Sequence, residues 1–208
     1  MELLAAIAVV ATLAALITVG SSRLVDKARA TKCAGNLRQL GTATLLYATD
    51  NSMCLPVTAH QQNDVRFIGI KKWTVSLQEY AGGKVVFRCP MDEIRRDYTY
   101  VLNDFLTPSS GLEYWRLSRL EKPSKTFLFA EAARTYANSD HYHFADYKGY
   151  VIPPAVFTQQ VGVSRHQGAA NYVFADGHME SLRWTHVQTL LKNPTEQFVE
   201  PLNSNQPN

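Results

Sequence analysis

The sequence predicts an α+β fold in which a long N-terminal helix packs on a small antiparallel β-sheet. The chain opens with an apolar run of helix-forming residues from Leu3 to Val19. A stripe at helical spacing follows, made of Cys33, Leu37, Leu40, Thr44 and Tyr47. After residue 50, short runs of β-branched and aromatic residues alternate with turn signals, which is typical of the strands of a small sheet.

The first twenty residues are expected to form the membrane-spanning half of one long helix. Between Leu3 and Val19 only Thr12 and Thr18 carry a polar side chain, and a bilayer core takes roughly 17–25 apolar residues. A cleaved signal peptide places its basic residues before the apolar run, whereas here they follow it. We therefore expect a span at 1–20, with the soluble half of the same helix at 21–50.

The remainder is expected to form one globular domain over residues 51–192. The hydrophobic content of 46% in 208 residues is enough for one core after the helical stem. The formal net charge of +3 is mild, so the composition predicts no nucleic-acid partner. Residues 193–208 form a polar tail rich in Pro, Asn and Gln, and its last eight residues are expected to be disordered.

Five short strands and one short helix are expected in the globular domain. The strands are predicted at 84–88, 98–102, 126–130, 171–175 and 178–182. The last two flank Asp176 and Gly177, a dipeptide suited to a tight hairpin turn because Gly tolerates positive φ. A short helix is expected at 73–80, and residues 135–160 are expected to form a long variable loop.

Two motifs give the chain a resemblance to a known family. Near the start, Glu2-Leu3-Leu4 opens the apolar helix, and CAGNLRQL follows at 33–40. Near the end, His166 is followed by nine residues and then by Asp176-Gly177-His178. Together these motifs resemble the type IV pilin-like superfamily, and in particular the bacterial pseudopilins whose N-terminus is processed.

The resemblance implies a structural role without catalysis. It implies a subunit of a periplasmic filament in a type II-like secretion system, associating with itself and with other pilin-like subunits. It also implies a single-pass inner-membrane protein with a periplasmic or extracellular C-terminal domain. In such filaments the carboxylate of Glu2 would meet the amino terminus of a neighbouring subunit during assembly. Members carry a basic leader cut by a prepilin peptidase, so we expect the true start to lie upstream of Met1.

Two alternative functions remain open at the level of sequence. One is a minor type IV pilin with a role in adhesion or DNA uptake. The other is a membrane-anchored periplasmic enzyme or sugar-binding domain that uses His166, Asp176 and His178. The sequence contains no Gly-x-Ser-x-Gly, His-Glu-x-x-His or Cys-x-x-Cys motif, so no catalytic residue is predicted.

The C-terminal motif has a structural and a metal-binding interpretation. In the structural one, His166 reaches back to the turn at Asp176 and Gly177. In the metal-binding one, His166, Asp176 and His178 bind zinc, joined by His141 and His143, which would share a strand face. The structural interpretation is preferred, and no cofactor is predicted.

Two further sets of carboxylates are possible sites. Asp140, Asp146 and Asp176 follow no calcium-loop spacing, so calcium is the weaker option. Glu131 follows a predicted strand and is either a site carboxylate or, more commonly, a satisfied charge at the strand end.

One disulfide is expected between Cys33 and Cys89, which leaves Cys54 free. Cys33 lies on the same stripe as Leu37 and faces the domain core, and Cys89 ends a predicted strand that could pack there. Cys33 and Cys54 would be roughly 30 Å apart along a helix, too far for a bridge. The pair Cys54–Cys89 remains the alternative.

Overall fold

The computed structural model describes residues 2–108, 113–136 and 139–201, without the side chains of 13–22, 63, 84 and 85. The helices of this part of the chain are α1 (Glu2–Asp50), α2 (Trp73–Ser76), α3 (Pro154–Gln160) and α4 (Trp184–Lys192). The strands are β1 (Tyr100–Leu102), β2 (Phe127–Glu131), β3 (Ala169–Phe174) and β4 (Met179–Arg183). Short 3-10 turns connect many of these elements.

The C-terminal half of α1 packs on the sheet through the stripe that the sequence predicts. All five stripe residues are buried: Cys33, Leu37, Leu40, Thr44 and Tyr47. Gly41 allows close approach to β3, because a Cβ there would lie 2.8 Å from Cγ1 of Val173. The predicted packing face of this helix is therefore confirmed.

The expected membrane span is wrong. Within the described residues, no helix is both long enough and apolar enough to cross a membrane. A bilayer core takes about 20 predominantly apolar residues, and the described side chains of the apolar run cover only Leu3 to Thr12. This finding corrects the predicted fold class, in which the first half of the N-terminal helix spans a membrane. It also corrects the predicted localisation, a single-pass inner-membrane protein with a periplasmic or extracellular domain.

The four strands form one antiparallel sheet in the order β1-β2-β3-β4. Every residue of β2 is buried, because both faces of the sheet are covered. On one face, Phe129 and Val173 belong to the core beneath α1, together with Trp73. On the other face, Phe127 and Tyr172 belong to an aromatic core that includes residues of α3 and α4. The predicted hairpin at the end of the sheet is confirmed.

Several predicted elements differ in the structure. Residues 84–88 do not form a strand: Lys84–Phe87 is a 3-10 turn that packs on α1, and positive φ at Gly82 and Gly83 bends the chain before it. The predicted helix at 73–80 is α-helical only over Trp73–Ser76. The predicted loop at 135–160 contains α3, which begins at Pro154 because proline is well suited to the first turn of a helix.

Residues 193–201 pack on the globular domain. Phe198 and Val199 are buried, and the carbonyl oxygen of Phe198 accepts a hydrogen bond from the N–H of Phe127. The side-chain amide of Asn103 donates to the carbonyl oxygen of Val199 at 2.7 Å. The core therefore extends into the predicted polar tail, and most of the segment expected to be disordered, 202–208, lies outside the described residues.

Candidate functional site

The turn of the C-terminal hairpin is held by its own side chains. The carboxylate of Asp176 accepts a hydrogen bond from the backbone N–H of His178 and also pairs with the Nδ1 of its imidazole. The His178 ring stacks on Phe174, with ring centroids 4.4 Å apart. Gly177 has φ of 85°, and a Cβ there would lie 2.5 Å from Cδ1 of Leu45. The turn therefore needs glycine both for its backbone and for its contact with α1.

His166 does not reach this turn. It lies just before β3, whereas Asp176 and Gly177 follow the end of that strand. A six-residue strand is roughly 20 Å long, so the nine-residue spacing separates two local structures at opposite ends of β3. The expected contact between His166 and the turn is wrong, because the strand that provides the spacing is extended.

His166 instead forms a buried pair with Glu131. The Nε2 atom of His166 lies 2.6 Å from Oε1 of Glu131, and the two side chains are 7% and 0% exposed. The other carboxylate oxygen of Glu131 accepts the backbone N–H of Asn171 at 3.1 Å. Nδ1 of His166 lies 3.2 Å from the sulfur of Met91. This pair is therefore nearly closed to solvent.

The disulfide lies beside this pair. The structure joins Cys33 to Cys89, with 4.7 Å between their α-carbons, and Cys54 is free. Cys89 Sγ lies 4.0 Å from Nε2 of His166. The disulfide thus joins the stripe of α1 to the segment that follows the 3-10 turn Lys84–Phe87, next to the buried pair.

The described residues contain one group of side chains whose ligand atoms could share a metal ion. It consists of Cys33, Cys89, Glu131 and His166, and the four ligand atoms lie within 4.8 Å of one another. Asp176 and His178 are not part of it, so the metal-binding trio considered from the sequence is not assembled. The sequence leaves Glu131 open as a strand-end charge or a site carboxylate, and in the structure it is a buried member of the group.

A second buried network adjoins the pair. Asp92 accepts the hydroxyl of Thr99 at 2.8 Å and forms ion pairs with Arg96 and Arg165 at 2.8 and 3.1 Å. Burial acts to raise the pKa of Asp92, but the Thr99 hydroxyl and the two guanidinium groups outweigh it and hold that pKa below its usual range. Nothing in the local sequence indicated this network, because its members come from distant segments.

His141 and His143 lie apart from His166, against His60. The centroid of the His60 ring is 4.3 Å from that of His141 and 5.9 Å from that of His143. His141 is buried, and its Nδ1 lies 2.8 Å from a carboxylate oxygen of Asp140. Of the three aspartates considered for calcium, Asp140 therefore pairs with His141, and Asp176 with His178.

Comparisons with known proteins identify no relative of this chain. No family model, no curated protein and no solved structure matches the chain.

Proposed function

We propose that this chain is a structural subunit that assembles with copies of itself and with related subunits into a pilin-like filament of the kind used by type II-like secretion systems. One observation supports this proposal above the others. Near the start of α1, large apolar side chains are between 57% and 75% exposed. They are Leu3, Leu4, Ile7, Val9 and Val10.

The exposed run differs from an ordinary surface helix. An amphipathic helix places its apolar residues on one stripe, but the residues from Leu3 to Val10 are apolar on every side. A contiguous apolar surface of this kind indicates an interaction site. The equivalent run of a neighbouring copy has the same character, so helix-on-helix packing would bury both.

Glu2 is the charged group of this surface. It is exposed in the first turn of α1, and helical rise places it roughly 45 Å from Cys33, where α1 meets the domain core. Among the described side chains, the first cationic group after Glu2 is that of Arg23, roughly 30 Å further along the helix. The proposed assembly therefore pairs Glu2 with a cation of another molecule. The resemblance to pilin-like proteins supports the amino terminus of a neighbouring subunit as that cation.

The proposal is tested by sedimentation velocity and electron microscopy of the full chain over a range of concentrations. Wild-type protein is expected to form elongated assemblies. Ile7→Asp places a charge in the packing surface and is expected to leave monomers. Glu2→Ala is expected to fold normally, by circular dichroism, and to lose assembly.

The matched control is Ile68→Asp, which changes an isoleucine outside α1 that is 76% exposed, more than the 57% of Ile7. It is expected to assemble as the wild type does. A wild-type chain that remains monomeric at all concentrations would refute the proposal, and so would equal loss of assembly in the Ile7 and Ile68 variants.

A further inference from the structure

We propose that Cys33, Cys89, Glu131 and His166 form a zinc-type metal site once the Cys33–Cys89 disulfide is reduced. The site would bind a divalent cation that accepts sulfur, nitrogen and oxygen ligands. This inference is independent of filament assembly. It depends on the position of three buried side chains and one largely buried one. They come from α1, from the segment after the 3-10 turn Lys84–Phe87, from the end of β2 and from the segment just before β3.

The spread of the ligand atoms suits such an ion. Zinc is bound tetrahedrally at about 2.0–2.3 Å by thiolate sulfur, imidazole nitrogen and carboxylate oxygen, so neighbouring ligand atoms in a formed site are roughly 3–4 Å apart. Here the four atoms lie within 4.8 Å of one another. Two of the separations are already short: Nε2 of His166 is 2.6 Å from Glu131 and 4.0 Å from the sulfur of Cys89.

The surroundings orient the nitrogen and oxygen ligands. In the oxidised protein Nε2 of His166 shares a proton with Glu131, 2.6 Å away, so this proton must leave before Nε2 can bind a metal. A proton on Nδ1 would then point at the sulfur of Met91, 3.2 Å away. The carboxylate of Glu131 is held through its other oxygen by the backbone N–H of Asn171. Outer contacts of this kind fix the tautomer and direction of metal ligands.

The cysteine segments are also held together by contacts other than the disulfide. The side-chain amide of Asn36, one helical turn after Cys33, donates to the carbonyl oxygen of Arg88 at 2.8 Å. The hydroxyl of Tyr100 donates to the carbonyl oxygen of Cys33 at 3.0 Å. These bonds keep the two cysteines adjacent after reduction, so the sulfur atoms need only side-chain rotation to separate.

The local charges balance in the metal-bound form. Two thiolates, one carboxylate and a divalent cation carry a net charge of −1, with His166 neutral. The adjoining network of Asp92, Arg96 and Arg165 carries a net charge of +1. Burial of an unbalanced charge is costly, and this pairing leaves the buried region neutral overall.

The redox step needs a dithiol as the reductant. The dithiol gives two electrons and two protons to the disulfide, whose S–S bond breaks to leave two thiols, and is itself oxidised to a disulfide. On metal binding, the two thiols release their protons and form two metal–sulfur bonds. The proton of the hydrogen bond between Nε2 of His166 and Glu131 is released or passes to Nδ1, and Nε2 and the carboxylate form the other two bonds to the metal. Reoxidation by a disulfide reverses the sequence and expels the cation, so the site exchanges a covalent link for a metal link in the same place.

The test uses the full chain with Co²⁺ as the spectroscopic probe, followed by competition with Zn²⁺. Oxidised protein is expected to bind no cobalt at this site. Protein reduced with a dithiol and freed of it is expected to bind one Co²⁺ with thiolate-to-metal charge-transfer absorption, which zinc then removes. Glu131→Gln is expected to weaken binding by more than the roughly 10- to 100-fold that an outer-contact change costs.

Cys54→Ser is the control, because Cys54 lies outside the group; it is expected to bind cobalt as the wild type does. If reduction unfolds the chain, added zinc is expected to restore the far-ultraviolet circular dichroism spectrum. Reduced protein without charge-transfer absorption, reduced protein that stays unfolded with zinc, or equal affinity in Glu131→Gln would each overturn the proposal.

Discussion

Nε2 of His166 lies 2.6 Å from a carboxylate oxygen of Glu131, and this buried contact joins the segment just before β3 to the end of β2. The motif of a histidine, nine intervening residues and Asp-Gly therefore takes part in two separate local structures. Its histidine pairs with a buried carboxylate, and its Asp-Gly forms a turn against α1. The spacing of nine residues within the motif is set by the length of β3, which separates the histidine from the turn.

His166→Ala is expected to destabilise the oxidised protein by roughly 3 kcal/mol or more, because it leaves the carboxylate of Glu131 buried without its partner. The measurement is urea unfolding in the presence of a chelator. His178→Ala is the matched control: its side chain is 36% exposed, so its loss should cost less than about 1 kcal/mol. Equal losses for the two histidines would contradict the importance of the buried pair.

Gly177→Ala is expected to be more costly than Gly168→Ala. Both glycines have positive φ, 85° and 87°, so both variants carry a backbone cost of roughly 1–2 kcal/mol. Only the Cβ at 177 also meets the terminal methyl of Leu45, which should add a smaller cost, up to about 1 kcal/mol, because this side chain can move aside. Thermal unfolding measures the difference. Adding Leu45→Ala to Gly177→Ala should remove part of the excess; identical costs at the two glycines would exclude the contact.

Asp104 is expected to make the protein less stable as the pH rises through 6. Burial raises its pKa to about 6, against the lowering effect of N–H groups from Ala145 and Phe144. Because the folded pKa is above the unfolded value, the stabilisation is complete below about pH 4 and is lost by neutral pH, amounting to roughly 2–3 kcal/mol.

The test compares urea unfolding of wild type and Asp104→Asn between pH 4 and 7. The variant is expected to lack this loss of stability with rising pH, whatever its stability at pH 4. Asp64→Asn is the control, since a hydrogen bond from Arg66 lowers the pKa of Asp64 and its contribution changes only as the pH falls below about 4. The same pH profile in wild type and Asp104→Asn would contradict the assignment.

Asp92→Asn is expected to cost roughly 3–5 kcal/mol, because it leaves the guanidinium groups of Arg96 and Arg165 buried without their carboxylate. Chemical denaturation at pH 7 measures it. Glu93→Gln is the neighbouring control: its ion pair with Arg134 is 72–73% exposed and should contribute less than about 1 kcal/mol. A similar small cost at both positions would show that the buried network adds little stability.

Much of the helix and hairpin pattern could be predicted because it is local. The stripe from Cys33 to Tyr47 follows the 3.6-residue period of a helix that is buried on one face. The hairpin follows from Asp176-Gly177 between two strand-like runs. The placement of Cys33 towards the core also follows from the stripe. The sequence favours Cys89 as its disulfide partner, and the structure joins these two cysteines.

The prediction of a strand at 84–88 failed for a tertiary reason. Val86 and Phe87 are β-formers by composition, but both are buried in the core beneath α1, and the disulfide at Cys89 joins this segment to the helix. Packing on α1 therefore outweighed β-propensity, which is a weak and context-dependent preference. Helix α3 was missed for a related reason, since Phe157 is buried against aromatic residues that are distant in sequence.

The sequence by itself determined the periodic elements: the packed face of α1 and the strands around the Asp-Gly turn. These depend on neighbours within a few residues. Only the tertiary structure decided that Glu131 meets His166, that this pair lies beside the Cys33–Cys89 disulfide, and that Asp92 gathers two arginines. Such contacts join segments far apart in the chain, and their energies come from burial, which no local pattern of residues specifies.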